Sequence, residues 1–220
     1  MNSRKNLSLL VVALMAAVIG AGTALYLRPS GDTLALVRDQ DGPAIQGLLW
    51  PNPKQVAPFE LTDHHGQAFD LDRLKGRWSF MFFGYTHCPD VCPMTMDTLK
   101  RVAGRLEGQE AGADTQVVFV SVDPARDTPE HLKNYVEYFN PEFLGATGGA
   151  EQLMAMTRQL GIIYDLNDGD GKKDYLVDHS AAVLLTDPQG RLVGVFSAPH
   201  RAEDITARFE AMRGFLDEHS

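Results

Sequence analysis

The chain has two cysteines, Cys88 and Cys92, set in Gly84-Tyr85-Thr86-His87-Cys88-Pro89-Asp90-Val91-Cys92-Pro93 with three residues between them. A thiolate is a nucleophile, a redox partner or a metal ligand. At this spacing the two sulfurs can approach each other or share one metal ion. Cysteines separated by two residues are the usual dithiol oxidant or reductant, so the spacing leaves both chemistries open. A purely stabilising disulfide is the weakest reading, because so short a loop restrains the unfolded chain very little. A third ligand would decide for metal, since two thiolates and an imidazole form a soft to borderline set suited to copper in both oxidation states.

Position supports chemistry here. Trp78–Phe83 (WSFMFF) and Val117–Val122 (VVFVSV) are continuous apolar runs of strand length, the pattern of strands buried on both faces of a parallel sheet. Between them Met96, Leu99, Val102, Ala103 and Leu106 recur at helical spacing after Pro93. The cysteines therefore fall at a strand-to-helix turn, where free N–H groups and the helix dipole favour thiolate over thiol, and both sulfurs are expected to be unusually acidic. Thr128-Pro129-Glu130 opens a second helix with cap, N1 proline and acid in order. A third helix is expected near Glu151–Leu160. Ala181–Thr186 and Leu192–Phe196 flank Asp187-Pro188-Gln189-Gly190 as an antiparallel hairpin, and Ile205, Phe209, Met212 and Leu216 line a closing helix. Phe59–Thr62 and Ala68–Leu71 alternate apolar and polar residues around Asp63-His64-His65-Gly66, a further hairpin. This order predicts an α/β, thioredoxin-like fold with an N-terminal β-hairpin, whose sites gather at the carboxyl ends of the parallel strands.

Among the histidines His179 stands out. Asp178-His179-Ser180 leads into the Ala181–Thr186 strand, and in a thioredoxin-like fold the loop entering that strand packs beside the cysteine turn. His87 ranks second, because neighbouring side chains on an extended chain point apart and tuning of the Cys88 thiolate suits it better than ligation. His64 and His65 in a hairpin turn, His131 in a first helical turn and His219 at the terminus read as solvated surface, and His200 is left open. Met94 and Met96 offer thioethers, but Met96 belongs to the apolar stripe of its helix.

Composition and charge bound the rest. The chain has 220 residues, is 44% hydrophobic and 22% charged, and carries a net charge of -9. It is neither a disordered protein, nor a disulfide-dense scaffold, nor a nucleic-acid binder, which needs excess Lys and Arg. Leu7–Leu27 contains no charge, and its 21 residues at about 1.5 Å each span roughly the thickness of a hydrocarbon core. Arg4 and Lys5 precede it, which sets the N-terminus in the cytoplasm and the remainder outside. The expectation is an uncleaved anchor over residues 1–27, in preference to a signal peptide. A Pro- and Gly-rich tether follows over 28–57, then one domain over 58–220 facing the periplasm from a bacterial inner membrane.

Two other patterns fail on inspection. Asp165-Leu166-Asn167-Asp168-Gly169-Asp170-Gly171 lacks the sixth-position glycine and twelfth-position glutamate of a calcium loop and reads as an acidic, flexible loop. A peroxidase would need proline and threonine or serine upstream of Cys88 in a frame that Phe82, Phe83 and Thr86 do not provide.

Phe83–Pro93, Ser121-Val122-Asp123-Pro124-Ala125-Arg126-Asp127-Thr128-Pro129 and Tyr175-Leu176-Val177-Asp178-His179-Ser180, in this order, resemble the Sco/SenC family. The resemblance implies a thioredoxin-like domain in which Cys88, Cys92 and His179 ligate one copper ion, destined for the dinuclear CuA centre of cytochrome c oxidase subunit II. It also implies an alternative use of the same thiols, as a thiol–disulfide oxidoreductase that keeps the recipient's cysteines reduced.

Overall fold

The central apolar strand, β4 (Trp78–Gly84), is buried at every residue, and the sheet is built outward from it. The computed structural model describes residues 45–49, 51–166 and 175–219. On one side β4 pairs in parallel with β5 (Thr115–Ser121), and β5 pairs in parallel with β6 (Leu144–Thr147). On the other side it pairs antiparallel with β9 (Val183–Thr186), followed by β10 (Arg191–Phe196) and the two-residue β1 (Lys54–Gln55). The predicted hairpin, β2 (Glu60–Asp63) with β3 (Ala68–Asp70), closes the far edge by pairing β2 with β6. The result is one eight-stranded mixed sheet, parallel only at its middle. Parallel neighbours need crossover helices, and α1 (Val91–Leu106) and α3 (Pro129–Phe139) supply them, with the short α2 (Glu110–Ala113) leading into β5. The helices α4 (Ala150–Leu160) and α5 (Ala202–Glu218) complete the layers.

Aromatic packing joins these layers. Phe80 of β4 meets Phe209 of α5 edge-on at 5.1 Å, and Phe119 of β5 meets Tyr135 of α3 at 5.1 Å. The N-terminus of α3 follows its sequence signal: Thr128 Oγ1 accepts from the His131 N–H, and Pro129 fills the first helical position.

Three features differ from the sequence expectation. Strand β6 lies in Leu144-Gly145-Ala146-Thr147, too short and glycine-bearing to signal a strand; Gly145 is used where a Cβ would press on Leu132 and Val136 of α3 at 3.2–3.3 Å. The residue before β9 is approached not by a plain loop but by a separate ribbon, β7 (Tyr164–Leu166) with β8 (Val177–His179), in which Tyr164 pairs with His179. The folded body also begins before Pro58. Leu48 and Val56, within the segment read as tether, are buried, and the Leu49 N–H and Val56 N–H donate to the carbonyls of Val193 and Gly190. The Leu7–Leu27 span lies outside the described residues, as does most of the Asp165–Asp174 loop. Among the described residues no helix is long and apolar enough to cross a membrane.

Burial of Leu48 and Val56 predicts that a fragment starting at Ile45 is more stable than one starting at Pro58 by about 3 kcal/mol or more, the scale for burying two aliphatic side chains. Equal urea midpoints for the two fragments would contradict this.

Candidate metal centre

The site grows from the carboxyl end of β4. Its last residue, Gly84, leaves room that no side chain could share: a Cβ there would stand 2.6 Å from Cys92 Sγ and 3.0 Å from the Phe119 ring. The chain then turns through Tyr85–Asp90, with the Cys88 N–H donating to the Tyr85 carbonyl at 3.2 Å, and enters α1. Cys88 lies in the turn, partly buried, whereas Cys92 is the second residue of the helix and fully buried. The free N–H of Cys92, unpaired within the first helical turn, donates to Cys88 Sγ at 3.5 Å.

His179, from the end of β8, completes the group: its Nε2 lies 3.1 Å from Cys92 Sγ. Its Nδ1 lies 3.1 Å from the Ser180 carbonyl. A carbonyl only accepts, so Nδ1 gives its proton to the backbone and Nε2 is the nitrogen turned to the sulfurs, the arrangement in which a backbone acceptor orients a ligating imidazole. The rings of Phe82 and Tyr85 stand edge-on to His179 at 5.9 and 6.1 Å. The ligand atoms of Cys88, Cys92 and His179 all lie within 4.8 Å of one another, the one such cluster of three His, Cys, Asp or Glu side chains among the described residues.

The expectation of two acidic sulfurs is corrected. The Cys88 thiol is lowered to about 4, chiefly because the Cys92 side chain hydrogen-bonds its thiolate, against burial and helped by the N–H groups of Asp90 and Cys92 and by the His179 side chain. The Cys92 thiol moves the other way, first because its proton is held in that bond to Cys88 and then because it is buried. Two adjacent sulfurs keep one proton between them.

The remaining histidines are placed elsewhere. His87 points to Thr86 and Asp127 and is absent from the three-residue cluster. His200 Nε2 donates to the Ala181 carbonyl at 2.6 Å, and His219 stacks on Phe215. His131 is exposed, as expected. His64 is not at the surface: it is buried, its Nδ1 accepts from the Gly145 N–H at 2.9 Å, and burial lowers its pKa. A hairpin turn becomes interior when β6 covers it.

What sequence reasoning missed is the frame behind the ligands. Asp127 is fully buried; its carboxylate accepts from the Thr86 N–H (2.8 Å), the Thr86 hydroxyl (2.6 Å) and the Ser121 hydroxyl (2.6 Å). Asp123, also fully buried, accepts from Arg126 Nε at 2.5 Å and from the Tyr175 hydroxyl at 2.6 Å. The Arg126 guanidinium lies 3.6 Å from the Tyr175 ring centroid and donates to the Tyr175 carbonyl at 2.9 Å. The only signal was three charges placed between a buried strand and a helix cap, and charges in a loop ordinarily read as solvated.

Comparison with known proteins decides the relationship. The SCO1/SenC family model matches residues 51–213. The chain belongs to the SCO1/SenC family. It is similar to the SCO2-like protein RP587 of Rickettsia prowazekii, 33% identical over 202 residues, covering 91% of this chain and 95% of that one. Among solved structures it resembles copper-bound ScoI of Bradyrhizobium japonicum, with 35% identity, a TM-score of 0.63, and coverage of 72% of this chain and 99% of that one. It also resembles apo Sco1 of Thermus thermophilus, with 38% identity, a TM-score of 0.67, and coverage of 76% and 95%. The mixed α/β fold is that of these thioredoxin-like SCO1/SenC structures, in agreement with the fold class expected from element order.

The split between the sulfurs makes a kinetic prediction. Iodoacetamide should modify Cys88 first, at a rate nearly independent of pH from about 5 to 8, and Cys92 slowly. Because the folded pair holds one proton where the unfolded chain holds two, folding releases a proton between the folded pKa of about 4 and the ordinary thiol value of 9.0. Stability relative to Cys88→Ser should therefore rise with pH across that window. A Cys88 alkylation rate climbing tenfold per pH unit up to pH 8 would show an ordinary thiol instead.

Proposed function

We propose that this member of the SCO1/SenC family binds one copper ion through Cys88, Cys92 and His179 and carries it as cargo for cytochrome c oxidase assembly. The observation that carries the reading is the placement of His179, whose Nε2 is turned to the sulfurs while its Nδ1 is held by the Ser180 carbonyl. Two thiolates and one neutral imidazole fit copper by softness. Copper-bound ScoI, 35% identical, supports the same choice of metal. The recipient we infer is the CuA centre of cytochrome c oxidase subunit II, on the strength of the motif resemblance.

The asymmetry of the thiols suits delivery. Cys92 is buried and Cys88 only partly so, so a recipient thiolate reaches the ion from the side of Cys88, displacing the accessible, weakly basic ligand first. The same low-pKa thiolate beside a protonated thiol is also suited to thiol–disulfide exchange, and this favours reduction of the recipient's cysteines as a second reading. Reduced protein that binds no copper would leave that reading in possession of the site. We further propose that residues 1–27 anchor the chain in a bacterial inner membrane with the domain in the periplasm, from the charge-free Leu7–Leu27 run and the preceding Arg4 and Lys5.

The ligand substitutions should be unequal. Cu(I) remains bound at low coordination, so His179→Ala should weaken Cu(I) modestly and abolish the thiolate-to-Cu(II) visible absorption, while Cys88→Ala or Cys92→Ala should remove both forms. Oxidation to the Cys88–Cys92 disulfide should also release the metal, since the thiolates are the ligands. Metal content and visible spectra of the four proteins check this; full Cu(II) binding by His179→Ala would remove that histidine from the site. For the orientation, a C-terminal periplasmic reporter should be active, and activity only of a cytoplasmic reporter would reverse the topology.

A further inference from the structure

Beside the Cys88 turn runs a shallow groove lined by His87, Cys88, His131 and Tyr138, among others. The two imidazoles there stand with ring centroids 6.3 Å apart, and hydrogen bonding fixes the tautomer of each. Thr86 Oγ1 gives its own proton to Asp127 at 2.6 Å, so at the 3.1 Å contact with His87 Nδ1 it is the acceptor and the imidazole is the donor. The same Nδ1 lies 3.5 Å from the Asp127 carboxylate. His131 Nδ1 lies 2.9 Å from the Arg126 carbonyl, which likewise only accepts. Both Nδ1 atoms therefore carry protons directed into the protein, and both Nε2 atoms keep lone pairs. A carboxylate or carbonyl behind one ring nitrogen and a lone pair on the other is how ligating histidines are held.

We infer that His87 and His131 form a second metal site on this rim, taking a divalent ion of the imidazole-seeking class, Cu(II) before others, through their Nε2 atoms. With each nitrogen about 2.0 Å from the ion, rings bridged by it have centroids within roughly 6 Å, close to the 6.3 Å separation of the two rings here. Among divalent ions of the first transition row, Cu(II) binds such nitrogen sites most strongly. The residues are distinct from Cys88, Cys92 and His179; the inference rests on the copper reading for the identity of the ion in the cell, but not for the existence of the site. Placed beside the accessible thiolate, it would hold Cu(II) at the mouth of the primary centre.

The test begins with Cys88→Ser/Cys92→Ser protein, which lacks the dithiol. Titration with Cu(II), followed by electron paramagnetic resonance, should show one bound ion with hyperfine structure from imidazole nitrogen. In that background His131→Ala should weaken binding by roughly tenfold or more, and His65→Ala, on the β2–β3 turn outside the groove, should leave it unchanged. If the double variant does not fold, the chain with its dithiol already filled by Cu(I) gives the same answer: it should take up one equivalent of Cu(II), and the exposed-site variant His131→Ala should not. A Cu(II) site indifferent to His131→Ala, or no such equivalent, overturns the proposal. Loss of Cu(I) binding at the dithiol with the imidazole site retained would instead overturn the copper reading of Cys88, Cys92 and His179 and leave this site standing.

Discussion

A buried carboxylate tolerates its position only if its lone pairs are filled, and Asp127 turns that requirement into architecture. Its donors come from two places: the Thr86 N–H and hydroxyl from the turn after β4, and the Ser121 hydroxyl from the end of β5. Satisfying one charge thus clamps together the two strand ends from which the site is built. Four residues earlier, Asp123 extends the clamp through Arg126 and Tyr175 to the segment that enters β8. His179 is far from the cysteines in sequence, and this chain of charge, stacking and hydrogen bonds reaches the segment that carries it.

The frame also explains why the two cysteines differ in chemistry although they are alike in type. Cys92 lies in the first turn of α1, against the gap left by Gly84 and within reach of His179. Cys88 lies in the turn, where N–H groups at the helix start and the Cys92 side chain all stabilise its anion. Burial disfavours a second charge nearby, so the pair holds one thiolate and one thiol. A metal ion offsets this by adding positive charge between the sulfurs, and for that reason metal affinity and thiol acidity in such a site are two views of one electrostatic balance. Asp127 acts on the outer side as well, since the contacts that hold Thr86 also set the tautomer of His87.

The dithiol at a strand-to-helix turn, the buried central strands, the capped helix at Thr128 and the α/β class were determined by the sequence itself, because each depends on spacing within a few residues: apolar runs, helical periodicity, a cap followed by proline. His179 was singled out by its place before a predicted strand, an inference one step longer. Its protonated Nδ1 and inward Nε2, the opposite shifts of Cys88 and Cys92, and the roles of Asp123 and Asp127 were decided by tertiary structure alone. So were β6, the burial of His64 beneath it, and the attachment of Leu48 and Val56. In each of these the outcome depends on which distant group arrives to donate, accept or exclude water, and a short polar or glycine-bearing segment carries no local trace of what will cover it.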